Sequence, residues 1–169
     1  MIKEYEGKLG KFKYDDTEFE LIEEEIKSVC GACGIRHTLK YIGKETDGSK
    51  IKIPEGITNC TDMFCECHSL MTAPVIPKGV IDCSYMFDRC WNLEKAPEIP
   101  DGVKYCSGMF WDSGVTEPSE IPDSVIDVDQ MYDGCDLKWY PSIPKGAERT
   151  TCEVFGDETS YFLCIRESA

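Results

Sequence analysis

The chain contains 169 residues, of which 41% are hydrophobic and 30% are charged, and its formal net charge is −14. This length and composition indicate one folded domain, or a small domain joined to a repeat array, and they exclude wholesale disorder and two full enzyme domains. The negative charge argues against direct binding to nucleic acid or to an anionic membrane, and it favours a basic protein partner.

The acidity is concentrated in the second part of the chain. Residues 1–50 contain 9 basic and 11 acidic side chains, whereas residues 51–169 contain 9 and 21. The first residues lack the basic start and apolar run of a secretory signal, and no stretch is apolar enough to span a membrane. We therefore expect a cytoplasmic location, unless an export segment is missing from this sequence. The odd count of 11 cysteines also favours reduced thiols.

Residues 1–50 are predicted to form a β-rich N-terminal cap. Apolar and polar residues alternate along 11–14 and 17–22, which predicts a hairpin. A second strand pair is predicted between 38–42 and 50–53, leading directly into the residues that follow.

This segment also contains a C-x-x-C motif, formed by Cys30 and Cys33 and followed by His37. With a cysteine or the histidine of residues 65–68, the motif could complete a tetrahedral zinc site, and it could otherwise be a thiol redox pair. Neither chemistry is strongly indicated, because there is a single C-x-x-C and no βαβ pattern surrounds it. The third interpretation, buried or half-exposed thiols without chemistry, is favoured.

An internal repeat organises residues 51–142. The dipeptide Ile-Pro recurs at spacings of 23, 23, 22 and 22 residues, beginning at Ile53, Ile76, Ile99, Ile121 and Ile143. Cysteine or valine follows the proline by six residues, and an aromatic residue preceded by methionine follows it by ten. This period suits one short strand and one helical turn per coil, and stacked coils would bury the repeated apolar side chains as continuous columns.

The pattern resembles the BspA-like leucine-rich repeats, whose coils combine an aliphatic stretch, Ile-Pro, a small residue with valine, and then an aromatic residue and a cysteine. The resemblance covers residues 53–142. It implies an α/β repeat fold, a right-handed leucine-rich-repeat-like solenoid of about four to five coils. It also implies binding of other proteins. Residues 143–169 are expected to form a degenerate last coil and a C-terminal cap.

The predicted binding residues lie among the repeats, where stacking would align carboxylates into an acidic stripe next to exposed aromatic side chains. They are Glu94, Glu98, Asp101, Asp112, Glu117, Glu120, Asp123, Asp127, Trp91 and Trp111.

The leading hypothesis is a non-enzymatic module that binds a basic protein, and its narrower form is an inhibitor of a nucleic-acid-binding protein. Enzyme activity is not expected, since the chain has two histidines and lacks a phosphate-binding glycine loop. A surface or secreted adhesion module and a small zinc or thiol protein centred on Cys30, Cys33 and His37 are the alternatives.

Overall fold

The computed structural model describes residues 1–27 and 33–147 of the chain. Two antiparallel hairpins form the N-terminal part. In the first, β1 (Ile2–Gly7) pairs with β2 (Gly10–Asp15), and in the second, β3 (Phe19–Lys27) pairs with β4 (Cys33–Tyr41). A single 3-10 turn at Gly48–Lys50 follows.

The strand pairs differ from those predicted. Residues 11–14 pair with β1 rather than with 17–22, and residues 38–41 pair with β3 rather than with 50–53. The first reversal comes earlier than Asp15, because Gly7 opposes Gly10 and the positive φ of Gly10 (114°) permits a two-residue loop there. Asp15 instead accepts hydrogen bonds from Thr17 and from the Met1 ammonium group.

The predicted α/β leucine-rich-repeat solenoid is wrong. The described residues contain no α-helix, and after Tyr41 they contain turns, isolated bridges and the one 3-10 turn in place of a strand and a helix per coil. The described fold is β-rich, with two two-stranded sheets and almost no helix.

Residues 58–138 form layers of consecutive turns. Alternate N–H groups donate to the next layer, as Cys60 does to the Asp82 carbonyl (2.8 Å) and Cys83 to the Tyr105 carbonyl (2.8 Å). The intervening N–H groups donate three residues back, as Met63 does to Cys60 (3.1 Å). Residues about one sequence repeat apart are thus joined by hydrogen bonds between neighbouring turns.

Positive φ angles explain why these residues do not form extended strands. One occurs at the same place in each layer, at Asp62 (57°), Tyr85 (53°), Gly108 (56°) and Gln130 (53°). A residue in this left-handed conformation interrupts an extended backbone and favours a turn.

The core runs through the turn layers as columns of buried side chains. Phe64, Phe87, Phe110 and Tyr132 stack with centroid separations of 5.5, 5.7 and 5.0 Å and interplanar angles of 11° or less. The second hairpin joins this column, since the Tyr41 ring lies 5.1 Å from Phe64. The N-terminal hairpins and the turn layers therefore share one hydrophobic core.

The cysteine-rich composition is confirmed by the count of 11. The seven cysteines from Cys60 to Cys135 are free, and Cys60, Cys83 and Cys106 form a buried column. Burial raises the pKa of the Cys106 thiol to about 12. No helix in the described part is long and apolar enough to cross a membrane. Of the predicted C-terminal segment, residues 148–169 lie outside the described residues.

Candidate interaction surface

Most of the predicted carboxylates are exposed and have no counter-ion within the described residues. Glu94, Glu98, Asp101, Asp112, Glu117, Glu120 and Asp123 are exposed, and Asp127 is half-buried. Of these, Glu117 has an ion pair, with the Lys138 ammonium group at 2.9 Å. That ammonium group lowers the pKa of Glu117.

The turn layers bring two pairs of these carboxylates together. The Ala96 N–H donates to the Glu117 carbonyl (2.9 Å), which fixes the register of neighbouring layers and places Glu98 beside Glu120. The Gly102 N–H donates to the Ser124 hydroxyl (3.0 Å), which places Asp101 beside Asp123. We call Glu98, Glu120, Asp101 and Asp123 the acidic stripe.

The acidic stripe is two layers deep and does not continue through the repeats. The position of Asp101 and Asp123, one residue after the repeat proline, is occupied by Lys78 in the preceding layer and by Lys145 in the following one. The position of Glu98 and Glu120 is occupied by Val75 in the preceding layer.

The remaining predicted carboxylates lie elsewhere on the layers. Asp112 neighbours Gly134, where an added Cβ would meet Asp112 Oδ1. Asp127 Oδ1 accepts the N–H of Asp129 at 3.0 Å, so its side chain stabilises a turn. Asp112 and Asp127 are therefore not part of the acidic stripe.

The two predicted tryptophans have different surroundings. Trp91 is 59% exposed and stacks on His68, with centroids 3.9 Å apart and an interplanar angle of 6°. Trp111 is half-buried, and the Arg89 guanidinium carbon lies 5.7 Å from the centre of its ring. Trp91 therefore presents a free ring face, whereas Trp111 already binds a cation.

The predicted zinc ligands lie partly outside the described residues. Cys30 lies outside the described residues, and Cys33 begins β4. His37 Nδ1 is 3.2 Å from Glu23 Oε1 and makes no hydrogen bond within the described part of the chain. No group of three metal-binding side chains occurs among residues 1–27 and 33–147. Burial raises the pKa of Cys67 to about 11.

Sequence reasoning missed Tyr105, whose position in the repeat has a structural role in the other layers. Asn59, Asp82 and Asp127 occupy this position, and each side chain accepts the N–H of the residue two positions later at 2.9–3.0 Å. Parallel bridges join Tyr105 to Asp82 and to Asp127, and Tyr105 is 41% exposed. The sequence contained a signal for this, because Tyr105 is the one aromatic residue at a repeat position that asparagine or aspartate occupies in the other layers.

Tyr85 was also missed. Its ring covers Gly108, where an added Cβ would lie 2.3 Å from the ring, and its centroid is 6.3 Å from that of Trp111. Partial burial raises the pKa of Tyr85, and negative charges at Asp129, Asp62, Asp127 and Asp88 raise it further. Tyr85 and Tyr105 thus lie within the acidic surroundings of the same turn layers. We call Asp82, Tyr85, Tyr105 and Asp127 the tyrosine–aspartate face.

No protein-family model, curated protein or solved structure matches this chain.

Proposed function

We propose that this protein is a non-enzymatic module that binds a basic protein partner through its acidic surface. The observation that carries the proposal is the exposure of six predicted carboxylates that have no ion pair within the described residues. They are Glu94, Glu98, Asp101, Asp112, Glu120 and Asp123.

Adjacent like charges favour a partner of opposite charge. Glu98 and Glu120, like Asp101 and Asp123, lie at equivalent positions of neighbouring layers. Repulsion between such carboxylates is relieved when a cationic surface covers them, and the summed field speeds the encounter. The lysines in the adjoining layers limit the acidic stripe to a compact area.

Charge reversal tests the proposal. Glu98, Asp101, Glu120 and Asp123 are changed to Lys in the stripe variant. The control variant changes four other exposed glutamates to Lys: Glu18, which precedes the second hairpin, and Glu20, Glu23 and Glu24 in β3. Each substitution adds two charges, so the net charge moves from −14 to −6 in both variants. The proposal predicts that basic proteins captured from the native host by the parent chain are lost with the stripe variant and retained by the control.

Salt dependence provides a second measurement on a purified partner. Between about 50 and 500 mM salt the Debye length falls from roughly 14 to 4 Å, so binding that depends on the acidic surface should weaken steeply. Competition by duplex DNA would support the narrower hypothesis that the partner normally binds nucleic acid. A flat salt response together with unchanged binding by the stripe variant would overturn the proposal.

A further inference from the structure

The geometry points to the tyrosine–aspartate face as a second place where the chain contacts its basic partner, with an arginine side chain of that partner packed against Tyr105 beside Asp82 and Asp127. This inference rests on the proposed function and locates it on the turn layers.

Tyr105 is not required by the turn in which it lies. In the other layers an asparagine or aspartate at this position accepts a backbone N–H, as Asn59 does from Thr61 at 2.9 Å. A tyrosine side chain cannot form this short-range turn. The layer therefore forgoes a stabilising hydrogen bond and exposes an aromatic ring, which is unfavourable for folding and useful for recognition.

Exposed apolar side chains adjoin Tyr105. Ile81 is 45% exposed and Ile126 is 44% exposed. The N–H groups of Lys104 and Tyr105 both donate to the Ile81 carbonyl, and the Ile126 N–H donates to Lys104, so the three layers are in direct contact. In this register Lys104 lies between Ile81 and Ile126, so the exposed surface beside Tyr105 combines apolar side chains with a charged one.

Tyr85 extends this surface toward Trp111. Its backbone has a positive φ of 53°, which is unfavourable for a bulky residue, and the ring lies over the glycine of the next layer. The Arg89 guanidinium carbon lies 5.7 Å from the centroid of the Trp111 ring. This part of the surface therefore already places a guanidinium against an aromatic ring.

The charges around the two tyrosines select a cation. Asp82 and Asp127 lie on either side of Tyr105, and Asp62, Asp88 and Asp127 all act electrostatically on Tyr85. Asp88 is 6% exposed, and its Oδ1 has no hydrogen-bond partner within the described residues. The nearby cations are Lys104 on the face itself, Arg36, which pairs with Asp62, and Arg89, which pairs with Glu66 and also lies 3.7 Å from Asp88 Oδ2.

Aromatic rings next to carboxylates favour guanidinium over ammonium. A guanidinium group stacks on an aromatic face and can still donate hydrogen bonds to a carboxylate in its own plane, whereas an ammonium group is compact and more strongly hydrated. We therefore assign an arginine, rather than a lysine, to the tyrosine–aspartate face.

The test uses a variant that removes both rings and suits the local backbone. In Tyr85→Asn/Tyr105→Asn, asparagine tolerates the positive φ at the first position and restores the turn-forming side chain at the second. The matched control, Trp139→Asn/Tyr140→Asn, removes two exposed aromatic rings that lie 40% and 48% exposed outside this face.

The probe is a twelve-residue peptide that alternates arginine with glycine, and a lysine analogue provides the comparison. Calorimetric titration should show that Tyr85→Asn/Tyr105→Asn weakens binding of the arginine peptide about tenfold, with a smaller loss for the lysine peptide. The control should bind as the parent does, and thermal melting should show both variants folded.

Two outcomes would overturn the inference. Unchanged arginine-peptide binding by Tyr85→Asn/Tyr105→Asn, with a loss on reversal of the acidic stripe, would place the contact on the stripe and leave the proposed function standing. Failure of the parent chain to bind the arginine peptide would also overturn it, and the proposed function would then depend on the partner captured from the host.

Discussion

The stacked aromatic column allows the stability of the core to be tested quantitatively at Phe87. This ring is fully buried, and it stacks between Phe64 and Phe110 at 5.5 and 5.7 Å. Phe→Ala in a core costs about 3–5 kcal/mol, and each lost aromatic pair contributes about 0.5–1.5 kcal/mol beyond burial. Phe87→Ala loses both pairs, so its free energy of unfolding should fall by about 5 kcal/mol.

A loss of that size is a large part of the total stability of a typical domain, about 5–15 kcal/mol. Urea unfolding followed by circular dichroism should place the midpoint about 2.5 M lower, taking a slope of about 2 kcal/mol per M. Trp91→Ala is the control, because it removes a larger ring that is 59% exposed and should cost about 1 kcal/mol. Equal midpoints for the parent and Phe87→Ala would refute the assignment of this column to the core.

Two further predictions concern the turn layers and the thiols. Gly108→Ala should lower the melting temperature more than Gly79→Ala does. Both positions have positive φ, but an added Cβ meets the Tyr85 ring only at Gly108. Equal decreases in melting temperature would mean that the Tyr85 ring moves aside at no cost. Burial raises the pKa of Cys65 and Cys106 from 9.0 to about 12. The folded state therefore retains their protons to higher pH than the unfolded state does, so the contribution of these thiols to stability should be constant below about pH 9 and should fall from pH 9 toward pH 12. Urea midpoints across that range measure the fall, and midpoints that rise with pH would contradict it.

The positions of many core side chains could be predicted from the sequence alone. The buried columns headed by Cys60, Met63 and Phe64 recur at the sequence period, because apolar residues at fixed spacing have to leave water together. The wrong prediction concerned the backbone. A period of 22 or 23 residues fits several backbone paths, and the positive φ angles at Asp62 and Tyr85, which favour turns, occur at residues whose identity does not require them.

For the candidate surface, the sequence by itself determined the net charge, its concentration after residue 50 and the exposure expected of Glu98, Asp101, Glu120 and Asp123. These properties depend on composition and local polarity. Tertiary structure alone decided which carboxylates are neighbours, because the register between layers comes from hydrogen bonds between distant residues, such as Ala96 with Glu117. It also decided that Tyr85 and Tyr105 lie among aspartates from other layers, since the folded backbone brings together residues 22 or 23 positions apart.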